Sequence, residues 1–326
     1  MVARSADGSL SRQEPGLSLS AAAPAIQWYP GHIAKAERAL AASLEKVDLV
    51  IEVRDARIPL ATGHPRLQRW IRGKQHLLVL NRRDMITAEA QKHWDRWFRA
   101  QGHTPWWCDA KAGTGVKQLQ QAAIRSGAAL NARRAGRGMR PRPVRALMLG
   151  FPNVGKSALI NRLVRQKVVE SARKAGVTRS LRWVRLGQDL DLLDAPGVLP
   201  PRLDDQQAAL RLALCDDIGQ AAYDTEAVAL AFVRMLALLE GEPAAGVRHA
   251  LVADRYGVPL LTSGKGDELA VQQWLEAAAA RHTSGDTARM AQRLLDDFRR
   301  SILGRIALEL PEIRSNLEES TDCLGR

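Results

Sequence analysis

The sequence predicts an α/β fold: a mostly parallel sheet with helices on both faces, followed by a smaller all-α domain. Three observations carry this. First, Val144–Leu149 is an apolar strand-like run that enters the glycine-containing loop G-F-P-N-V-G-K-S at 150–157. From Ser157 to Leu163 apolar residues then recur at helical spacing, so strand, loop and helix follow one another. Second, His76–Leu80 is a short apolar run of strand length that ends in a polar turn, and Asp191–Asp194 reads as a buried strand that ends in a Pro/Gly-containing turn. Third, residues 204–280 are rich in Ala, Leu, Arg and acidic residues. Their i, i+3, i+4 apolar spacing is clearest over Ala227–Leu239.

Taken in chain order, residues 1–24 are rich in Ser, Ala and Pro, contain Asp7 and Glu14, and lack an apolar centre. They read as a disordered tail, neither a signal peptide nor a transit peptide. Residues 25–202 hold the strands of an α/β domain. Within it the segment 131–143 (N-A-R-R-A-G-R-G-M-R-P-R-P) is Gly/Pro/Arg-rich and apolar-poor, which reads as a linker. Val198–Arg202 leads into a helical domain over 203–326. The run at 227–239 is too short to span a bilayer and carries Arg234, so it reads as a buried core helix. Residues 287–307 are expected to form another helix, ending near Gly304. No internal repeat is evident.

At 326 residues, with 46% hydrophobic content, the chain can build two cores. Its net charge of +13 is unevenly spread: the first 200 residues carry 34 Lys and Arg against 15 Asp and Glu, the remainder 14 against 20. A basic surface of this kind suits a polyanion such as a nucleic acid. Arg289, Arg293, Arg299, Arg300 and Arg305 suggest an RNA-facing helix in the otherwise acidic C-terminal part. Cys108, Cys215 and Cys323 are far apart and form neither a metal-binding pair nor a disulfide framework, as in a reducing cytosol. The seven histidines show no metal-ligand spacing.

The chemistry sits in five motifs. Gly150–Ser157 matches G-x-x-x-x-G-K-[ST], whose backbone N–H groups cradle phosphates at a helix N-terminus. Lys156 then reaches the terminal phosphates and the Ser157 hydroxyl meets a magnesium ion. Val154, Gly155 and Ala158 are the neighbouring backbone contacts. Asp191–Gly197 (D-L-L-D-A-P-G) ends in D-x-P-G, where Asp194 would hold magnesium through water and Gly197 would offer its N–H to the terminal phosphate. Thr178, in the loop between, supplies a hydroxyl for phosphate and metal. Asn81-Arg82-Arg83-Asp84 follows the strand at 76–80 and resembles the N-K-x-D motif of GTPases, which implies that the Asp84 carboxylate would accept from both guanine N–H groups. Arg82 offers a flat cation to the purine face. Read without its neighbours, the same tetrapeptide is equally an ordinary strand-to-helix turn. Asp109-Ala110-Lys111 follows one strand later.

These motifs resemble those of GTPases: N-R-R-D is similar to N-K-x-D, and D-A-K to the S-A-K loop that backs guanine, with Arg82 and Asp109 as departures. Their order is that of a circular permutation, with the base-reading motif ahead of the P-loop. The chain resembles the circularly permuted GTPases, most closely the ribosome biogenesis GTPase A group. W-Y-P-G-H-I-A-K-A at 28–36 is similar to that group's signature, and D-L-V-I-E-V-R-D-A-R-I-P at 48–59 to its first strand and D-A-R-x-P loop. The resemblance implies binding of GTP and GDP with Mg2+ and K+. It also implies slow intrinsic hydrolysis, because the position usually held by a water-orienting Gln is Val198. Asn153 matches a potassium-coordinating Asn, and His32 a histidine proposed to act when the ribosome is engaged. The implied partner is a precursor of the large ribosomal subunit and its rRNA, met by a monomeric cytoplasmic protein without membrane or DNA contacts. The remaining alternatives are an RNA-binding scaffold with nucleotide as a structural ligand, and a GTPase of another RNA process.

Overall fold

β1 (Leu49–Asp55) is buried along its length apart from Arg54, as a strand covered by helices on both faces must be. The computed structural model describes residues 26, 40–71, 73–164, 182–195, 197, 205–261 and 268–311. Within them one six-stranded sheet contains β1, β2 (Gln75–Asn81), β3 (Pro105–Trp107), β4 (Val144–Leu149), β5 (Arg182–Leu186) and β6 (Leu190–Asp194). Their spatial order is β3-β2-β1-β4-β6-β5, and every pair is parallel except β5 with β6. The chain steps one way from β1 through β2 to β3, and the other way from β4 to β6. The boundary between β1 and β4 is thus a topological switch point, and the crevice beyond the strands' C-terminal ends there is the natural ligand site.

The helices beside the sheet are α1 (Leu67–Trp70), α2 (Ala88–Ala100), α3 (Val116–Ser126), α4 (Ala128–Ala135) and α5 (Lys156–Val164). α4 corrects the expectation of a linker over 131–143: residues 131–135 are helical, built from Ala and Arg, which are good helix formers. None of its residues is buried, which is why the segment looked apolar-poor. The irregular stretch after it is tied down. Asn131 Nδ2 donates to Arg142 O at 3.0 Å, and the Arg142 guanidinium forks onto Asp48 at 2.8 Å on each arm.

The C-terminal part is helical as expected, with α6 (Gln206–Leu214), α7 (Thr225–Leu238), α8 (His249–Tyr256), α9 (Glu268–His282) and α10 (Thr287–Arg299). Asp205, Asp224 and Asp286 cap α6, α7 and α10 by accepting from first-turn N–H groups. α10 stops well before Gly304. Ile302 N donates to Asp297 O and Ser301 N to Phe298 O, a Schellman turn with Ser301 in the left-handed region at φ 58°. Among the described residues no helix is long and apolar enough to cross a membrane.

One apolar cluster runs from Ile51, Val53 and Met148 of the sheet into Leu210, Phe232 and Phe298 of the helices. The last described segment then returns to the first strand. Leu308 N donates to Arg57 O at 3.0 Å, and the Glu309 carboxylate accepts from Leu60 N at 2.7 Å and Ala61 N at 3.1 Å. Trp94 Nε1, on α2, closes the contact by donating to Glu309 O at 3.1 Å.

Candidate functional site

β2 ends in Asn81, and its carboxamide is the crossbar of the site. Nδ2 donates to Val154 O at 2.9 Å, and Oδ1 accepts from Ala110 N at 3.1 Å. One buried side chain therefore joins the base motif, the phosphate loop and the 109–111 loop. The approach requires glycine at 155: its φ is +98°, and a Cβ there would lie 2.2 Å from Asn81 Nδ2.

Asp109 shows what a carboxylate does where serine is usual. Its Oδ1 accepts from Lys111 N at 2.8 Å and Ala112 N at 2.9 Å, holding the loop in an Asx-type turn. Desolvation, and next the charge of Asp109, raise the carboxyl pKa of the nearby Asp84. Arg83 fixes the base motif through its backbone, donating N–H to Cys108 O at 3.1 Å. Arg82, at φ 64°, lines the cavity with its guanidinium engaged by protein groups, Nη1 donating to Asp55 Oδ2 at 3.0 Å and Nη2 to Asn153 O at 2.5 Å. The pull is electrostatic, since the wholly buried Asp55 lies within its reach.

On the phosphate side Lys156 opens α5 and is buried, its ammonium donating to Phe151 O at 2.7 Å and Gly150 O at 3.0 Å. Desolvation lowers its pKa to about 8, against the opposing pull of Asp194 and Asp217. Asp194 closes β6. Its Oδ1 is buried without a hydrogen-bond partner, and desolvation raises its pKa despite Lys156 and Arg182. Among the described residues no three or more His, Cys, Asp or Glu side chains could hold a metal ion by themselves. An orphaned carboxylate oxygen beside the phosphate loop fits an ion whose other ligands come from phosphate, the Ser157 hydroxyl and water.

A cavity of about 1580 Å³ connects the two sides. Asn81, Arg82, Asp84, Asp109, Ala110 and Lys111 line it from one side, and Asn153, Gly155, Lys156, Ser157, Ala158 and Gly197 from the other. Arg83, Val154 and Asp194 stand behind this lining. His32 and Thr178 lie outside the described residues.

The helical part completes the cavity: Arg300 and Arg305, singled out in the sequence for RNA, line it together with Asp216 and Arg248, which sequence reasoning missed. Beneath them lies a buried charged layer. Arg57 forks onto Asp55 at 3.0 and 2.7 Å, donates to Cys215 O at 3.1 Å, and sits 5.3 Å from the Phe298 ring centre. Against a desolvation that would raise it, Arg57 and Arg82 hold the Asp55 pKa below its ordinary value. Asp217, also wholly buried, has no hydrogen-bond partner on either carboxylate oxygen, and burial pushes its pKa well up. The D-A-R-x-P loop is visible in the sequence, but nothing there points from Arg57 to a carbonyl 158 residues away.

A mostly parallel sheet in this order, with the phosphate loop between β4 and α5 and the base motif after β2, is a circularly permuted P-loop GTPase domain. A family model described as 50S ribosome-binding GTPase matches residues 145–234. Ribosome biogenesis GTPase A of Bacillus cereus is 38% identical over 211 residues, 65% of this chain and 71% of that protein. Its counterpart in Bacillus pumilus is 35% identical over 65% of this chain and 75% of its own length. The chain belongs to the ribosome biogenesis GTPase A family. A GDP-bound YlqF structure shares the fold, with a TM-score of 0.54 at 21% identity over 84% of this chain and all of that one.

Proposed function

We propose that this protein binds GTP in the cavity between its sheet and its helical part, hydrolyses it slowly, and uses hydrolysis to time its release from a precursor of the large ribosomal subunit. The observation that supports the reading is the Asn81 crossbar, which ties the end of β2, just ahead of Asp84, to the phosphate loop at one cavity that Asp84 and Lys156 both line. In this reading Asp84 accepts from guanine, Lys156 faces the terminal phosphates, and Gly197 offers its N–H to them. Ser157, Asp194 and Thr178 hold Mg2+, which would neutralise phosphate charge. Asn153 holds K+, and His32 acts once the particle is engaged. The functional division follows the same lines: 25–202 for nucleotide and 203–326 for the particle, in a monomeric cytoplasmic protein.

Charge supports an RNA partner, through fewer arginines than the sequence suggested. Arg299 is turned inward, donating to Leu214 O at 3.0 Å, Ala213 O at 2.9 Å and Tyr223 Oη at 2.9 Å. Arg300 and Arg305 are exposed at the cavity rim with Arg248, and among the described residues none of these three has an ion-pair partner. Three free guanidiniums suit RNA phosphates. Sedimentation of the purified protein with immature and mature large subunits tests the proposal. Binding to the immature particle with a non-hydrolysable GTP analogue, and release with GDP, is expected; equal sedimentation with both nucleotides would overturn the timing role.

A further inference from the structure

Five non-glycine residues of the described chain have a positive φ, and three of them, Arg82 (64°), Asn153 (57°) and Asp216 (62°), meet in one hydrogen-bonded chain. Such conformations persist where the surroundings hold them, and they gather at functional sites. Their origin at residue 216 is local. α6 ends in a Schellman turn, with Asp217 N donating to Leu212 O at 2.9 Å and Asp216 N to Ala213 O at 3.1 Å. Asp216 occupies the left-handed position that glycine usually takes. This turn aims the Asp216 carbonyl at the phosphate loop, where it accepts from Asn153 Nδ2 at 2.7 Å. Arg82 Nη2 meanwhile holds the Asn153 backbone carbonyl.

A carboxamide is planar, so committing its nitrogen to one side turns its oxygen to the other. Among the described residues Asn153 Oδ1 accepts no hydrogen bond, and Asn153 lines the nucleotide cavity. We infer that the Asp216 carbonyl is a positioning group for hydrolysis: through Asn153 Nδ2 it sets Asn153 Oδ1 toward the cation between the phosphates. This rests on the proposed role of Asn153 as a cation ligand. The helical part thereby governs a ligand on the phosphate loop. A partner that moves α6 would change hydrolysis without touching nucleotide.

The test uses the full chain and compares single-turnover GTP hydrolysis in potassium and sodium at constant ionic strength, with GDP affinity measured in parallel. Glycine keeps the left-handed turn, so Asp216→Gly should retain the wild-type potassium-to-sodium ratio. Asp216→Val, and the milder Asp216→Ala, disfavour that turn. Both should lower the ratio about tenfold, part of one charge-stabilising contact, while GDP affinity stays within about threefold. In an Asn153→Ala background, Asp216→Val should lower the ratio no further, because the carbonyl acts only through that amide. If Asn153→Ala abolishes the potassium effect but Asp216→Val and Asp216→Ala keep it, the positioning role is wrong and the cation role stands. A wild type with equal rates in the two salts overturns both.

Discussion

If Lys156 meets the phosphates as proposed, nucleotide affinity should depend on pH in a direction opposite to stability. In the structure its ammonium is buried on two carbonyls, and its pKa is lowered to about 8 from an ordinary 10.5. Facing phosphates it stays charged, so above pH 8 binding must take up a proton. From that pKa about 0.9 of the protein carries the charge at about pH 7 and about a quarter at about pH 8.5. Affinity for GDP should therefore fall roughly fourfold across that interval. Titration of a fluorescent GDP analogue at the two pH values measures the change. Calorimetry in two buffers of different ionisation enthalpy counts the protons, with about three quarters of one taken up at about pH 8.5. For the nucleotide-free protein the sign reverses. The folded pKa lies below the unfolded one, so between about pH 8 and 10.5 the unfolded chain binds more protons and this residue's contribution to stability rises with pH. Equal affinities at the two pH values, with no proton uptake, would refute a buried Lys156 that meets the phosphates.

Asp84→Asn should weaken GTP and favour xanthosine triphosphate, which carries an oxygen where guanine has its amino group; a competition titration reads this, and equal affinity of the wild type for ATP and GTP would contradict it. Arg57→Met removes the fork onto Asp55 and the bond to Cys215 O, leaving two buried carboxylates short of a cation, at a cost of about 3–5 kcal/mol in urea unfolding. Replacing Arg248, Arg300 and Arg305 together by Ala should lower the slope of log affinity against log salt for rRNA fragments by about 2–3, with GTP affinity unchanged. An unchanged slope would remove RNA from that rim, and a loss of GTP affinity would assign the arginines to the nucleotide instead.

Five strands were legible because they lead into motifs, and the phosphate loop because its chemistry demands fixed spacing; β5 (R-W-V-R-L) was missed, since its two arginines break any apolar run and no motif follows it. Asp109 could be located but not explained: its carboxylate serves Lys111 and Ala112, a local geometry that composition does not show. Arg82 was read from the role of lysine in similar motifs, whereas here Asp55 competes for it. The linker was misjudged at 131–135 because an exposed helix of Ala and Arg has no apolar face to reveal it. Asp216, Arg248 and Glu309 were missed for a different reason. Their contacts join residues separated by dozens to hundreds of positions, and periodicity reports only on neighbours.

The clasp of Glu309 on Leu60 and Ala61 bears on how the protein is made. Domains usually fold as they leave the ribosome, N-terminal part first. Here the loop after β1 obtains its carboxylate, and Trp94 its acceptor, only when residue 309 has been synthesised. Until then two backbone N–H groups and an indole N–H have no partner there, and the layer around Arg57 lacks α6 and α10. The nascent GTPase half is thus unfinished during most of its own translation, and its cavity closes only as the last helices arrive.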